Sequence, residues 1–245
     1  MKPLLVIRHE RTDTLGVAGG AFEEEGLPIS ILDAWGDGSW PGREEVAGYL
    51  VMGGAMNVDQ IGRHPYLGLE RELIRGLIEA GVPVMGVCLG AQLMARAVDE
   101  PVIRAPQRKC GFFPVYPTEE GASDPVASVF AAGDLEFHWN EDTFALPPGA
   151  RLLASGSDGT VDAFRIGERA WGIAFHPEVD RPELDGWIEA VGSKLEPVWG
   201  RSPEDLRKEA TERLPEHEER GRELFRRFAR CVKQSASEVM GREAF

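Results

Sequence analysis

The sequence predicts an α/β protein with a doubly wound, mostly parallel central sheet, an antiparallel extension and C-terminal helices. Three observations carry that expectation. Short apolar runs alternate with amphipathic stretches through the first half, as a parallel sheet covered by helices requires. The middle third breaks into short β-rich runs separated by Gly, Pro and Asp, the pattern of antiparallel strands joined by turns. Beyond Asp180 the chain becomes helical in period and heavily charged.

Taken in order, residues 4–7, 29–32, 48–52 and 82–87 are the first four strands, each short and largely apolar. Before the fourth, Leu69, Leu73, Leu77 and Ile78 recur at helical spacing over residues 67–80, and Gly81-Val82-Pro83 ends that helix and opens the strand. A helical run through Leu93 and Ala97 follows. Residues 112–116, 135–139, 151–154, 161–166 and 171–175 supply antiparallel strands that continue the sheet. The tail predicts two helices, 204–213 and 217–233. Leu224, Phe225, Phe228 and Val232 would pack the second on the body, while the Glu216-His217-Glu218-Glu219-Arg220 run reads as a solvated face with i,i+4 pairs. No Pro/Gly/Ser linker and no internal repeat interrupts the chain. Residues 1–195 therefore read as the main domain and residues 196–245 as a helical extension packed on it.

With 245 residues, 42% of them hydrophobic, the chain can bury a substantial core. A formal charge of -14, with no segment concentrating Lys and Arg, argues against nucleic acid as a partner, because phosphate binding needs clustered cations. The short apolar run at residues 4–7 meets charge too soon for a signal peptide or membrane span, so no membrane and a cytoplasmic location are expected. Cys88, Cys110 and Cys231 lie far apart with no Cys-x-x-Cys or Cys/His cluster, which suggests neither a disulfide framework nor a metal site.

Gly86-Val87-Cys88-Leu89-Gly90-Ala91-Gln92 follows an apolar strand and precedes a helical run, forming a Gly-x-Cys-x-Gly nucleophile elbow. Its glycines permit a sharp strand-to-helix turn that projects the cysteine, and the helix N-terminal amides favour a thiolate. A thiol nucleophile needs a base. Phe175-His176-Pro177-Glu178 offers an imidazole at a strand end with a carboxylate two residues later to orient it. The strand ending in Gly53-Gly54 presents bare backbone, and the N–H groups of Gly54 and Leu89 are the candidate oxyanion hole. His9, His64, His138 and His217 lack such company and read as surface, turn or satisfied core residues. Cys110 and Cys231 read as packing, and Trp139, Trp171 and Trp187 as core or rim.

In order and spacing, Gly53-Gly54, the Cys88 elbow and His176-Pro177-Glu178 resemble the class I glutamine amidotransferases, from about Leu4 to Glu178. Asn57-Val58-Asp59, Pro65-Tyr66-Leu67 and the stretch from His138 to Pro147 are similar to stand-alone members related to the glutaminase part of GMP synthase, some of which act as γ-glutamyl peptidases. The resemblance implies a flavodoxin-like sheet and glutamine hydrolysis: Cys88 attacks the side-chain amide, His176 shuttles protons and Glu178 orients the imidazole. Gly53 and Gln92 would help hold the substrate, and no metal or cofactor enters any step. Implied partners are glutamine or a γ-glutamyl small molecule, and a separate synthetase subunit that receives the ammonia, since the chain has no Gly-rich ATP-pyrophosphatase loop. Lys109 and Asn140 depart from the family pattern, as do Asp162 and Ala174 where glutamine is frequent, which places the departures near the active-site rim.

Other readings fit less well. A γ-glutamyl peptidase would use the same triad on a different leaving group, and a regulatory module would keep the fold without catalysis. The run from Leu4 to Thr12 is similar to the start of a histidine phosphatase, but Glu10 stands where that motif needs glycine and would repel phosphate. Chaperone-like and PfpI-type proteins share a cysteine elbow but not the late His-Pro-Glu segment.

Overall fold

A computed structural model describes residues 1–36 and 40–243 of the chain; Ala244 and Phe245, at the end of the expected 196–245 extension, lie outside the described residues. The elements run β1 (Leu4–Arg8), α1 (Gly16–Glu24), β2 (Ile29–Asp33), β3 (Gly48–Val51), α2 (Tyr66–Ala80), β4 (Val84–Val87), α3 (Leu89–Ala97) and β5 (Val102–Pro117). They continue as α4 (Glu119–Ser123), β6 (Asp134–Phe144), β7 (Ala150–Gly156), β8 (Val161–Ile166), β9 (Ala170–Ile173), α5 (Arg181–Val191), α6 (Leu195–Trp199) and α7 (Pro203–Glu243).

One nine-stranded sheet orders them β2-β1-β3-β4-β9-β8-β7-β5-β6. Pairings are parallel from β2 to β9 and antiparallel from β9 to β6, so the expected extension is present and contributes as many pairings as the parallel part. The inner parallel strands β1, β3 and β4 are buried on both faces, which is why they read as continuous apolar runs, whereas β2 at the sheet edge is largely exposed. Leu4, Val6 and Leu50 face a core shared with Phe22 of α1 and Phe225 and Phe228 of α7. Leu5, Ile7 and Val51 face the other side, against Leu67 and Ile74 of α2 and Leu93 of α3. A third cluster joins Phe112 and Phe137 to Leu184, Leu195, Leu206 and Leu214.

The tail differs from its sequence reading in two ways. The two expected helices are one, running through Pro215. Proline in a helix interior costs roughly 3 kcal/mol, but burial on either side of it, Leu214 in one cluster and Leu224 in another, offsets that cost and keeps the axis continuous. Nor is the 216–220 run all solvated. His217 and Arg220 turn inward onto the fully buried Glu136, with His217 Nδ1 2.7 Å from Oε2 and Arg220 Nε donating to Oε1 at 2.5 Å. Burial of Leu214 and Leu224 on either side carries these polar groups inward, and they pair because a lone buried carboxylate would be costly. β5 and β6 also run beyond their expected bounds, because backbone pairing with each other carries the polar 103–109 stretch, across a register shift between Arg104 and Lys109.

Candidate active site

Cys88 sits between β4 and α3 with φ 49° and ψ −104°, outside the regions open to an ordinary side chain. Backbone bonds hold it there: Cys88 N–H donates to Ile173 O at 2.8 Å, and Gln92 N–H donates to Cys88 O at 3.0 Å. The flanking glycines are required by close approach. A Cβ on Gly86 would lie 2.5 Å from Gly90 O, and one on Gly90 would lie 2.2 Å from Val51 O. Strain of this kind costs about 1–3 kcal/mol and persists only where surrounding structure imposes it.

His176 leaves β9 at the same sheet edge, its N–H donating to Phe137 O at 2.8 Å. Nδ1 lies 2.8 Å from Glu178 Oε1, both side chains are buried, and the ring stands edge-on to Trp187 with centroids 4.8 Å apart. Burial alone would lower its pKa. The charge of Cys88 and that of Glu178, with hydrogen bonds to both, overcome this and hold the imidazole well above its ordinary value. Gly53 is the neighbour that leaves room, since a Cβ there would come 2.9 Å from His176 Cε1.

The three residues share a cavity of about 310 Å³ with Gly53, Gly54, Met52, Glu10, Asp13, Glu183, Trp139 and Trp187. Leu89 opens α3 behind Cys88, so its N–H is among the first-turn amides that have no acceptor within the helix. Gly54 is wedged against Met56, His9 and Leu89. Gln92 lies elsewhere. It lines a second cavity of about 300 Å³ with Lys109, Asn140, Asp158, Thr160, Asp162 and Ala174, which gathers all four departures from the family pattern in one place.

In that second cavity Lys109 Nζ lies 3.0 Å from Asp158 Oδ2 and donates to Thr160 Oγ1 at 3.0 Å. Burial would raise Asp158, but hydrogen bonds from Thr160 and Lys109 bring its carboxyl down to about 2. Burial pushes Asp162 up to about 7 against the opposing pull of Lys109. Asp162 Oδ2 and Asn140 Oδ1 have no hydrogen-bond partner among the described residues.

Several groups around Cys88 were not legible in sequence. His9 is a buried strut: one ring nitrogen meets Gly53 O and the other Glu70 Oε2, each at 2.9 Å. Burial opposes its charge, yet Glu70 prevails and raises its pKa. The stretch that resembles a phosphatase motif thus serves as the first strand and its exit loop. Asp180 caps α5 through Glu183 N–H at 2.9 Å, a spacing that reads as an ordinary capping box. Glu183 instead reaches across to Thr14, accepting from its N–H at 3.0 Å and from its hydroxyl. His138 corrects the expectation of a satisfied core histidine: it is fully buried, neither ring nitrogen has a hydrogen-bond partner among the described residues, it packs between Phe113 and Phe175, and burial lowers its pKa well below the usual range. Cys110 and Cys231 pack in apolar clusters, and burial pushes the Cys110 thiol up to about 12.

A strained cysteine on a strand-to-helix elbow, with a carboxylate-bonded histidine just beyond the neighbouring strand, marks out a class of α/β protein. Comparison with known proteins specifies it further. The family model for glutamine amidotransferase class-I matches residues 32–188, and the chain belongs to that family. The glutamine amidotransferase-like protein YfeJ of Salmonella typhimurium is 26% identical over 197 residues, 79% of this chain and 82% of that protein. The glutamine-hydrolyzing GMP synthase of Aeropyrum pernix is 30% identical over 68% of this chain, which spans 31% of that protein's length. A glutamine amidotransferase from Thermotoga maritima superposes with a TM-score of 0.82 at 26% identity, covering 93% of this chain and 98% of that one. No helix among the described residues is long and apolar enough to cross a membrane.

Proposed function

We propose that the chain hydrolyses the side-chain amide of glutamine, or a γ-glutamyl amide, through a thioester on Cys88. The observation that carries this is the strained Cys88 sharing one cavity with the His176–Glu178 pair. Cys88 Sγ attacks the amide carbon, and the Gly54 and Leu89 N–H groups steady the oxyanion. Protonated His176 gives its proton to the leaving nitrogen, the C–N bond breaks, and ammonia or an amine departs. Water then attacks the thioester while His176 takes its proton, the C–S bond breaks, and glutamate leaves with Cys88 restored. Glu178 keeps Nδ1 bonded so that Nε2 serves Cys88 throughout.

The GMP synthase relatives support a further element of this reading, namely that released ammonia serves a synthetase partner carried on a separate chain. The test is ammonia or amine release from glutamine and from γ-glutamyl amides, with Cys88→Ala as control. Cys88-dependent release supports the reading. Equal release by wild type and variant, or none from any amide, removes it.

A further inference from the structure

The cavity at Cys88 sets four carboxyl groups against a single imidazole, His176, among the described residues. Glu10, Asp13, Glu178 and Glu183 line it, and among the described residues no Lys or Arg does. Arg11, the nearest in sequence, lies over the Trp35 ring at 5.4 Å, and Arg8 is committed to Asp33 at 2.7 Å and to the backbone carbonyl of Asp13. The Asp13 side chain is 7% exposed and lacks a hydrogen-bond or ion-pair partner among the described residues. Glu178 Oε2 is likewise buried and unpartnered. Buried carboxylates without partners are costly, so a site that retains them is shaped for a ligand that brings the opposite charge.

The rest of the lining says what kind of cation fits. Trp139 and Trp187 stand edge to face with centroids 5.9 Å apart, and Met52, Ala190 and Val191 complete an apolar wall. Carboxylates set among indole rings and aliphatic groups suit an ammonium on a hydrocarbon chain, which gains both ion pairing and contact with the ring faces. They do not suit a hydrated metal ion, and no group of three or more metal-binding side chains occurs among the described residues.

We propose that this cavity receives the amine side of the substrate, and that the substrate is a γ-glutamyl conjugate of an aliphatic diamine or polyamine. The inference rests on the hydrolytic reading of Cys88 above and names its substrate class. The glutamyl α-ammonium is the wrong cation for this wall, because its neighbouring carboxylate would meet the same acids. The second cavity offers both signs, Lys109 beside Asp158 and Asp162, and better fits a zwitterionic end. Chemically the step is unchanged: Cys88 Sγ bonds the γ-carbon, the C–N bond breaks, and the amine nitrogen takes the His176 proton. The nitrogen leaves as a neutral amine and takes a further proton from water, after which the released amine carries two or more positive charges. Burial, reinforced by the charges of Glu183 and Glu10, holds the Asp13 carboxyl up at about 7, so an incoming ammonium releases a proton there and binds more tightly as pH rises from 6 to 8.

The test separates binding from turnover. Calorimetry on Cys88→Ala protein compares 1,4-diaminobutane, its mono-γ-glutamyl amide and the isosteric, uncharged γ-glutamyl pentylamide. The charged amide should bind at least about tenfold more tightly than the neutral one, free diamine should bind detectably, and Asp13→Asn with Glu183→Gln should shrink the tenfold advantage to about threefold or less. Equal binding of charged and neutral amides by Cys88→Ala protein overturns the proposal, and this arm needs no change at the acids. In wild type the same preference should appear in kcat/KM. Preferred binding of the cation with no turnover of any amide would sink the hydrolytic reading and leave the cation site standing. Turnover without preference would do the reverse.

Discussion

Two cavities of nearly equal volume flank the α3 elbow, and they handle charge in opposite ways. In the Gln92 cavity the charges answer one another: Lys109 pairs with Asp158, Thr160 bridges Asp158 and Asp162, and the remaining mismatch is absorbed by a carboxyl held near 7. In the Cys88 cavity the acids share the lining with a thiol and an imidazole. The contrast teaches where a ligand's charge is needed. A self-compensated cavity is stable when empty, whereas one with an excess of acids holds repulsion that protonation or a bound cation relieves.

Changes at the Cys88 cavity should cost activity and spare the fold. Cys88→Ala is the largest, expected to lower hydrolysis by at least about 10⁴-fold, as loss of a covalent nucleophile does. The same change to Gly should also abolish activity yet raise stability by roughly 1 kcal/mol, because glycine relaxes at positive φ; denaturant midpoints check this, and a fall would show that Cys88 is not strained. Glu178→Gln should reduce kcat by about 10²- to 10⁴-fold. It removes one of the charges that raise His176, so the alkaline limb of the pH–rate profile should move to lower pH. An unmoved limb would mean that Cys88 alone sets the imidazole.

His9 tests the border between activity and folding, since it holds Gly53 from behind while pairing with Glu70. Removing it as His9→Ala strands a buried carboxylate and should cost about 3–5 kcal/mol. Adding Glu70→Ala should recover part of that stability, while a deficit of about tenfold in kcat persists if the bond to Gly53 O positions the oxyanion loop. Full recovery of kcat with stability would reduce His9 to a folding role.

The second cavity should show the smallest effect on activity and a pH-dependent effect on stability. Asp162 has a folded pKa near 7 against an ordinary 3.8, so the folded state favours its protonated form. Its contribution is fully present below about pH 4 and is lost as pH rises through 7. Asp162→Asn should therefore gain on wild type between pH 5 and pH 8 by on the order of 1–3 kcal/mol. Denaturant curves at the two pH values measure it, and an equal difference at both would show that Asp162 does not titrate there.

Much of the fold was readable because its signals are local. β1, β3 and β4 were legible as buried apolar runs, the exposed edge strand β2 as a short apolar run, and α2 from its apolar spacing and Gly81 stop. By contrast α1, with sequence Gly-Val-Ala-Gly-Gly-Ala-Phe-Glu-Glu, has three glycines and no side-chain cap, so nothing local marks it; Phe22 and Ala18 form a helix there because α7 packs on them. Pro215 misled for the mirror reason, a strong local stop overruled by packing on both sides.

By itself, then, the sequence determined the Gly-x-Cys-x-Gly elbow, the Gly-Gly strand end and the His-Pro-Glu segment, because each depends on backbone sterics or spacing within a few residues. Only the tertiary structure decided what surrounds them. Thr14 meets Glu183 across 169 positions and His9 meets Glu70 across 61, bringing acids and struts to Cys88 that no local pattern signals. It also decided that Gln92, one helical turn from Cys88, opens onto a different cavity. The physical reason is range: strand and helix periodicity report which face of a segment is buried, whereas charge compensation is settled by which buried faces meet.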